Sequence, residues 1–188
     1  MIFLIRTKAL FFDTKNEWNI IKNEKTSYSK IIKTFLIFII IFRIIVSSVE
    51  MYIIGPYKGM NEISSQFLII SIYSLWLLYI YISALILNFL APMFGAEKNR
   101  LNAIKIAAYC SVTIFISIIL ELFPVKYLGV LSIGYLIFLR YQGLKIVMGS
   151  TKNTFLYALF PEIILITLSI IIALVGYIIV SFVLNPGL

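Results

Sequence analysis

The chain contains no histidine, one cysteine and one aspartate. Without an imidazole, His-based catalytic triads and His-containing metal sites are excluded. The lone aspartate, Asp13, precedes every long apolar run, so a pair of intramembrane aspartates cannot be assembled. Cys110 has no partner for an intrachain disulfide and reads as a small packing residue within an apolar stretch. No P-loop or dinucleotide-binding glycine fingerprint is present, and Gly149-Ser150 lacks a companion base. Glu50 and Glu121 fall near span ends with Lys126 close to the second, which reads as rim charge rather than a two-carboxylate acid/base site. The expectation is a protein with no enzymatic activity, no cofactor and no metal.

Charge is also scarce. Only 13% of residues are Asp, Glu, Lys or Arg, whereas 62% are hydrophobic and the mean hydropathy is +1.04. That balance exceeds what a soluble core can hide, and several apolar runs reach the roughly 20 residues a helix needs to cross the hydrocarbon layer. The predicted fold is all-α, a polytopic membrane bundle of five transmembrane helices with a short N-terminal interfacial helix. The predicted spans are 34–54, broken by Gly55-Pro56; 65–90, ending at Ala91-Pro92; 103–123, ending at Pro124; 127–143, the shortest; and 154–184, long enough to tilt. Residues 1–33 form a basic N-terminal segment and 34–188 the transmembrane domain. The apolar stretch Ile2 to Ile5 is too short for a cleavable leader.

The 16 Lys and Arg residues give a net charge of +8, but their placement points to topology rather than nucleic acid. Seven lie in the first 33 positions, three between Gly95 and Lys105, and three between Arg140 and Lys152. The alternate loops hold only Lys58 and Lys126. By the positive-inside rule the N-terminus is cytoplasmic and the C-terminus lies on the opposite side. Before the first span, Thr14-Lys15-Asn16-Glu17 fits a capping box followed by Trp18, Ile20 and Ile21. An interfacial helix there would set Trp18 at headgroup depth, with Lys15, Lys22 and Lys25 facing anionic lipid.

Charges inside the spans need partners. Arg43 and Glu50 share a helix face, but seven residues of rise separate them by about 10 Å, so the two cannot pair directly. Glu162 matches Arg43 in depth and is its preferred counter-ion, with Arg140 the competitor; the four form a candidate intramembrane polar network. Trp76, Tyr79 and Tyr81 lie well inside the second span, so their donors should find partners within the bundle. Small residues recur at Ala103, Ala107 and Ser111, at Thr113 and Ser117, and at Ser169 and Ala173, stripes that let helices approach closely, inside the bundle or in a homo-oligomer.

Four stretches, in order, resemble the Yip1 domain family: Trp18-Asn19-Ile20-Ile21 with Glu24; Ala91-Pro92-Met93-Phe94-Gly95; Ala107-Ala108-Tyr109; and Tyr135-Leu136-Ile137-Phe138-Leu139-Arg140-Tyr141-Gln142-Gly143-Leu144 ahead of Val147-Met148. The resemblance implies five membrane helices, a cytoplasmic N-terminus and no catalytic residues to transfer. The Asp-Leu-Tyr-Gly-Pro type signature and long polar N-terminal region of eukaryotic trafficking members are missing, so the chain looks like a bacterial relative in the cytoplasmic (inner) membrane. The Rab-binding role of those members is not carried over. The functional expectation is a non-catalytic membrane protein that associates with or organises lipids or other membrane proteins. The alternative is a small oligomeric transporter or channel using Arg43, Glu50 and Glu162.

Overall fold

The structure is a computed structural model that describes residues 2–56, 59–121 and 130–184. Among the described residues every regular element is helical. In chain order these are α1 (Ile2–Phe12), α2 (Thr14–Asn23), α3 (Tyr28–Ile31), α4 (Ile37–Ile54), α5 (Glu62–Leu90), α6 (Arg100–Cys110), α7 (Ile114–Glu121), α8 (Val130–Val147) and α9 (Thr154–Leu184). A π-helical turn, Ile32–Leu36, joins α3 to α4, and a 3-10 turn, Ser111–Thr113, joins α6 to α7.

Polar caps set the helix limits. The Asn61 side chain accepts from the Ser64 N–H at 2.8 Å and starts α5 three residues before the predicted position. Asn99 does the same for Asn102 at 3.1 Å and starts α6. Gly55 terminates α4 with a φ of 101°, a region that glycine enters without steric penalty. Glycine also stands at Gly95, where φ is 62° after the 3-10 turn Ala91–Phe94.

Four stretches are long and apolar enough to cross a bilayer: Glu62–Phe94, Arg100–Leu120, Val130–Val147 and Thr154–Val175. They correspond to the predicted second to fifth spans. The predicted first span is represented by α4, whose 18 residues include Arg43 and Glu50. Helix α8 runs past Gly143 to Val147 because Leu144 and Val147 continue its buried face. Residues 127–129, Pro124 and Lys126, and the side chain of Glu121, fall outside the described residues.

Helix α5 packs against α4, α6 and α9, and α8 packs against α2, α6 and α9. One core joins them. It includes Leu10 of α1 and Trp18 and Ile21 of α2 beside Leu87, Ala107, Leu139 and Tyr157, so the N-terminal helices are built into the same bundle.

Candidate functional site

Arg140 on α8 is deeply buried, with a relative exposure of 2%, a value that Lys105 shares among the described residues. Its Nη2 meets Glu162 Oε1 of α9 at 2.8 Å and donates to Ser83 Oγ of α5 at 3.3 Å, while Nη1 donates to the Ala158 carbonyl at 3.1 Å. Tyr79 of α5 donates to the second oxygen of Glu162. Three helices are pinned at one point. Pro161, inside α9, lacks the N–H that would bond to the Tyr157 carbonyl; its ring disrupts the turn whose next carbonyl, Ala158, receives Arg140. The counter-ion of Glu162 is therefore Arg140, and the preference for Arg43 is corrected. Consecutive antiparallel helices joined by a short connection are lateral neighbours, a constraint that counting depth alone does not use. Ser83 gave no signal in the sequence.

Arg43 lies on the α4–α5 side. Its Nη1 is 3.9 Å from Glu50 Oε1 of the same helix, and its guanidinium stands 5.5 Å from the ring centre of Tyr73. Arg43 and Glu50 do meet, contrary to the estimate from helical rise, because two long side chains lean toward each other across the gap. The contact is long for an ion pair. Beside it, Ser47 shares a 3.1 Å hydrogen bond with Tyr73, and Gln66 donates to Ser48 at 2.8 Å, so α4 and α5 are joined by hydroxyl and amide groups.

A second cluster ties the N-terminal helices down. Arg6 of α1 reaches Glu17 at 2.6 Å and Glu24 at 3.2 Å; Tyr109 of α6 donates to Glu24 at 3.1 Å. Lys105 Nζ donates to the carbonyls of Ile21 and Glu24, both at 2.8 Å, and so satisfies the open end of α2. Burial alone would lower the Arg6 pKa, but its hydrogen bond to Glu17 and the nearby Tyr109 and Glu24 outweigh that, and the net direction is upward. Arg6 stays charged. Glu17 is engaged with Arg6 and the predicted capping box does not form: Asp13 is the N-cap, its carboxylate accepts from the Asn16 side-chain amide at 2.9 Å rather than from a backbone N–H, and the Thr14 hydroxyl donates to the Leu10 carbonyl at 2.8 Å.

Trp18 is also corrected. It is 0% exposed rather than at the surface, and a Cβ placed on Gly143 would lie 3.0–3.1 Å from its indole carbons. The absence of a side chain at Gly143 lets the ring lie flat on α8. Lys15, Lys22 and Lys25 are exposed. Alongside, Phe11 stacks on Tyr135 at 5.5 Å, and the Tyr135 hydroxyl donates to the Leu10 carbonyl at 3.1 Å.

The third junction locks two loops. The N–H groups of Thr151 and Lys152 converge on the Phe94 carbonyl at 3.3 and 3.1 Å, and Glu97 N–H donates to Met148 at 2.8 Å. Phe94 stacks face to face on Tyr157 at 4.7 Å. A side chain at Gly95 would collide with the Thr151 hydroxyl. The small stripe Ala103, Ala107 and Ser111 is buried within the bundle, whereas Ser169 and Ala173 are exposed on α9.

A cavity of about 470 Å³ lies beside Arg6 and Glu24, and two more lie along the bundle. One, of about 310 Å³, lies against the central pair and is lined by Tyr79, Ser83, Ser111, Ser132, Arg140 and Glu162 among others. The other, of about 660 Å³, opens between the π-helical turn, α5 and the first turn of α6. Apolar helices of membrane-spanning length, joined by buried ion pairs at helix crossings, define an integral membrane helical bundle. The Yip1 domain profile matches residues 8–174, and the chain belongs to the Yip1 domain family. The matched span takes in all three junctions apart from Arg6. Neither a curated protein nor a solved structure matches the chain.

The stretches that carried the resemblance meet in pairs: Trp18 with Gly143, Glu24 with Tyr109, and the Phe94-Gly95 turn with the loop after Met148. Arg6 and Lys105 were not singled out in the sequence, and Glu17 was read only as a capping-box residue. A lysine inside an otherwise apolar helix, Lys105, was the available signal.

Proposed function

We propose that this protein is a non-catalytic member of the bacterial cytoplasmic membrane that associates with anionic lipid and with neighbouring membrane proteins. Its N-terminus and basic face lie on the cytoplasmic side, and the C-terminus on the other. The observation that carries the reading is a fixed basic platform: Lys15, Lys22 and Lys25 are exposed on a segment that Trp18 and Lys105 anchor to the bundle. Each lysine held near an anionic surface contributes about 1 kcal/mol of attraction. Holding the lysines on a segment docked to the bundle avoids the ordering cost that a loose tail would incur on binding.

Mass spectrometry of lipids and proteins retained through purification in mild detergent tests this. The wild-type protein should retain anionic over zwitterionic lipid, and the triple variant Lys15→Gln/Lys22→Gln/Lys25→Gln should lose most of that preference. Equal retention of both lipid classes by the wild type, with no reproducible protein partner, would sink the reading.

The hydroxyl-lined cavity beside Arg140 and Glu162 favours a second reading, transport of a small polar species. Arg43 and Glu50 form a separate pair, which leaves Glu162 as the member of the expected polar path that lines this cavity. Proteoliposome flux that is absent, or unchanged by Glu162→Gln, would remove it.

A further inference from the structure

The cavity of about 660 Å³ is within the size range of ligand pockets, and its walls are almost all carbon: Ile32, Leu36, Leu77, Ile80, Ala84 and Ile104. Polar groups occur at few points of the lining, chiefly the Arg100 guanidinium and the Tyr28, Ser74 and Tyr81 hydroxyls. Arg100 donates to the Tyr81 hydroxyl and lies 5.8 Å from that ring; among the described residues this is its only polar partner, and no carboxylate neutralises it. Arg100 is also the first residue of α6, where the helix end adds partial positive charge. The π-helical turn contributes both Ile32 and Leu36 to the wall, and such turns are frequent at functional sites.

Length narrows the occupant. The α5 wall runs from Ser74 to Ala84, about 15 Å at 1.5 Å per residue, which is half of a hydrocarbon core about 30 Å thick. An apolar slot one leaflet deep, with an unneutralised guanidinium at the end where α6 begins, matches an amphiphile with one chain and an anionic head. We propose that this groove holds one acyl chain of an anionic glycerophospholipid, with the phosphate accepting from Arg100 and Tyr81. The assignment rests on the lipid-associating reading and names its site: a lateral groove distinct from the lysine platform.

The test uses the full chain in nanodiscs that contain a phosphatidylglycerol bearing a diazirine midway along one acyl chain. Crosslinks are mapped by peptide mass spectrometry and compared with those on the exposed lipid-facing strip Ile170, Ile171 and Ile172 of α9. Peptides covering residues 74–84 and 100–104 should be enriched over that strip, and unlabelled phosphatidylglycerol should compete better than phosphatidylcholine. Arg100→Gln should weaken the anionic preference roughly tenfold, the size of one charge-assisted hydrogen bond. Leu78→Trp, at an exposed position on the groove wall, should abolish the enrichment by filling the slot even if Arg100→Gln folds poorly. Labelling concentrated on peptides of α2, with none above the α9 strip in the groove, would overturn the groove and leave the lipid-associating reading intact. Labelling uniform over all lipid-facing helices would overturn both.

Discussion

Glu162 and Arg140 are each the other's main compensation for burial, so deleting one strands the other in the bundle. Glu162→Leu alone should lower stability by about 3–5 kcal/mol, whereas Arg140→Met/Glu162→Leu together should recover much of that loss. Thermal unfolding in detergent reads both, and a double variant no more stable than the single would show that the pair is not the source of the cost. Gly143→Ala forces a methyl group against the rigid Trp18 indole and should cost about 1–3 kcal/mol. Trp18→Phe in the same chain should cost less than the sum of the two single changes, since residues in contact couple. Arg43, Arg140 and Glu162 were legible in the sequence as charges that require partners, whereas Lys105 and Glu17 were not. The pairing of the first three was only partly so, because depth along a span says nothing about which helices are lateral neighbours. Trp18 among lysines resembles an interfacial anchor in any sequence; what buries it is a missing side chain far along the chain at Gly143.

Among the elements, the caps Asn61 and Asn99 start α5 and α6 three residues before the predicted limits, while the ends of α4 and α5, marked by Gly55-Pro56 and Ala91-Pro92, were legible. The π-helical turn was not. Ile32-Lys33-Thr34-Phe35-Leu36 carries no glycine or proline to mark it, and its shape goes with the packing of Ile31, Phe35 and Leu36 into the core. The status of α1 and α2 was hidden for a related reason, since the groups that hold them, Lys105 and Tyr109, sit on α6. Lys105→Met should free the end of α2, and hydrogen exchange across residues 14–24 should accelerate while α8 and α9 keep their protection. Unchanged exchange there would mean that Trp18 alone docks the segment. At the other junction, Gly95→Ala combines a left-handed backbone cost of about 1–2 kcal/mol with a collision at Thr151. Proteolysis in the 94–99 and 149–153 loops should quicken in that variant, and equal cleavage of wild type and variant would count against the interlock.

For the whole molecule, hydropathy and run length already defined a helical membrane bundle, and the family resemblance agreed with the profile match over residues 8–174. The relative order of helices around the core was not available from those signals, because apolar faces of similar composition are interchangeable until specific contacts choose among them. The functional reading requires one property of the assembly: α4, which is not among the four stretches long and apolar enough to cross, must cross the membrane and thereby bring the N-terminal platform and the two basic loops to one side. Single cysteines introduced at Lys15, Lys98, Lys152 and Met60 in a Cys110→Ala background, probed with a membrane-impermeant maleimide on oriented vesicles, test that property directly. The account predicts that Lys15→Cys, Lys98→Cys and Lys152→Cys are labelled from the same side and Met60→Cys from the other. Labelling of Lys15→Cys from the side opposite Lys98→Cys would contradict it, since α4 would then not cross and the basic face would be divided.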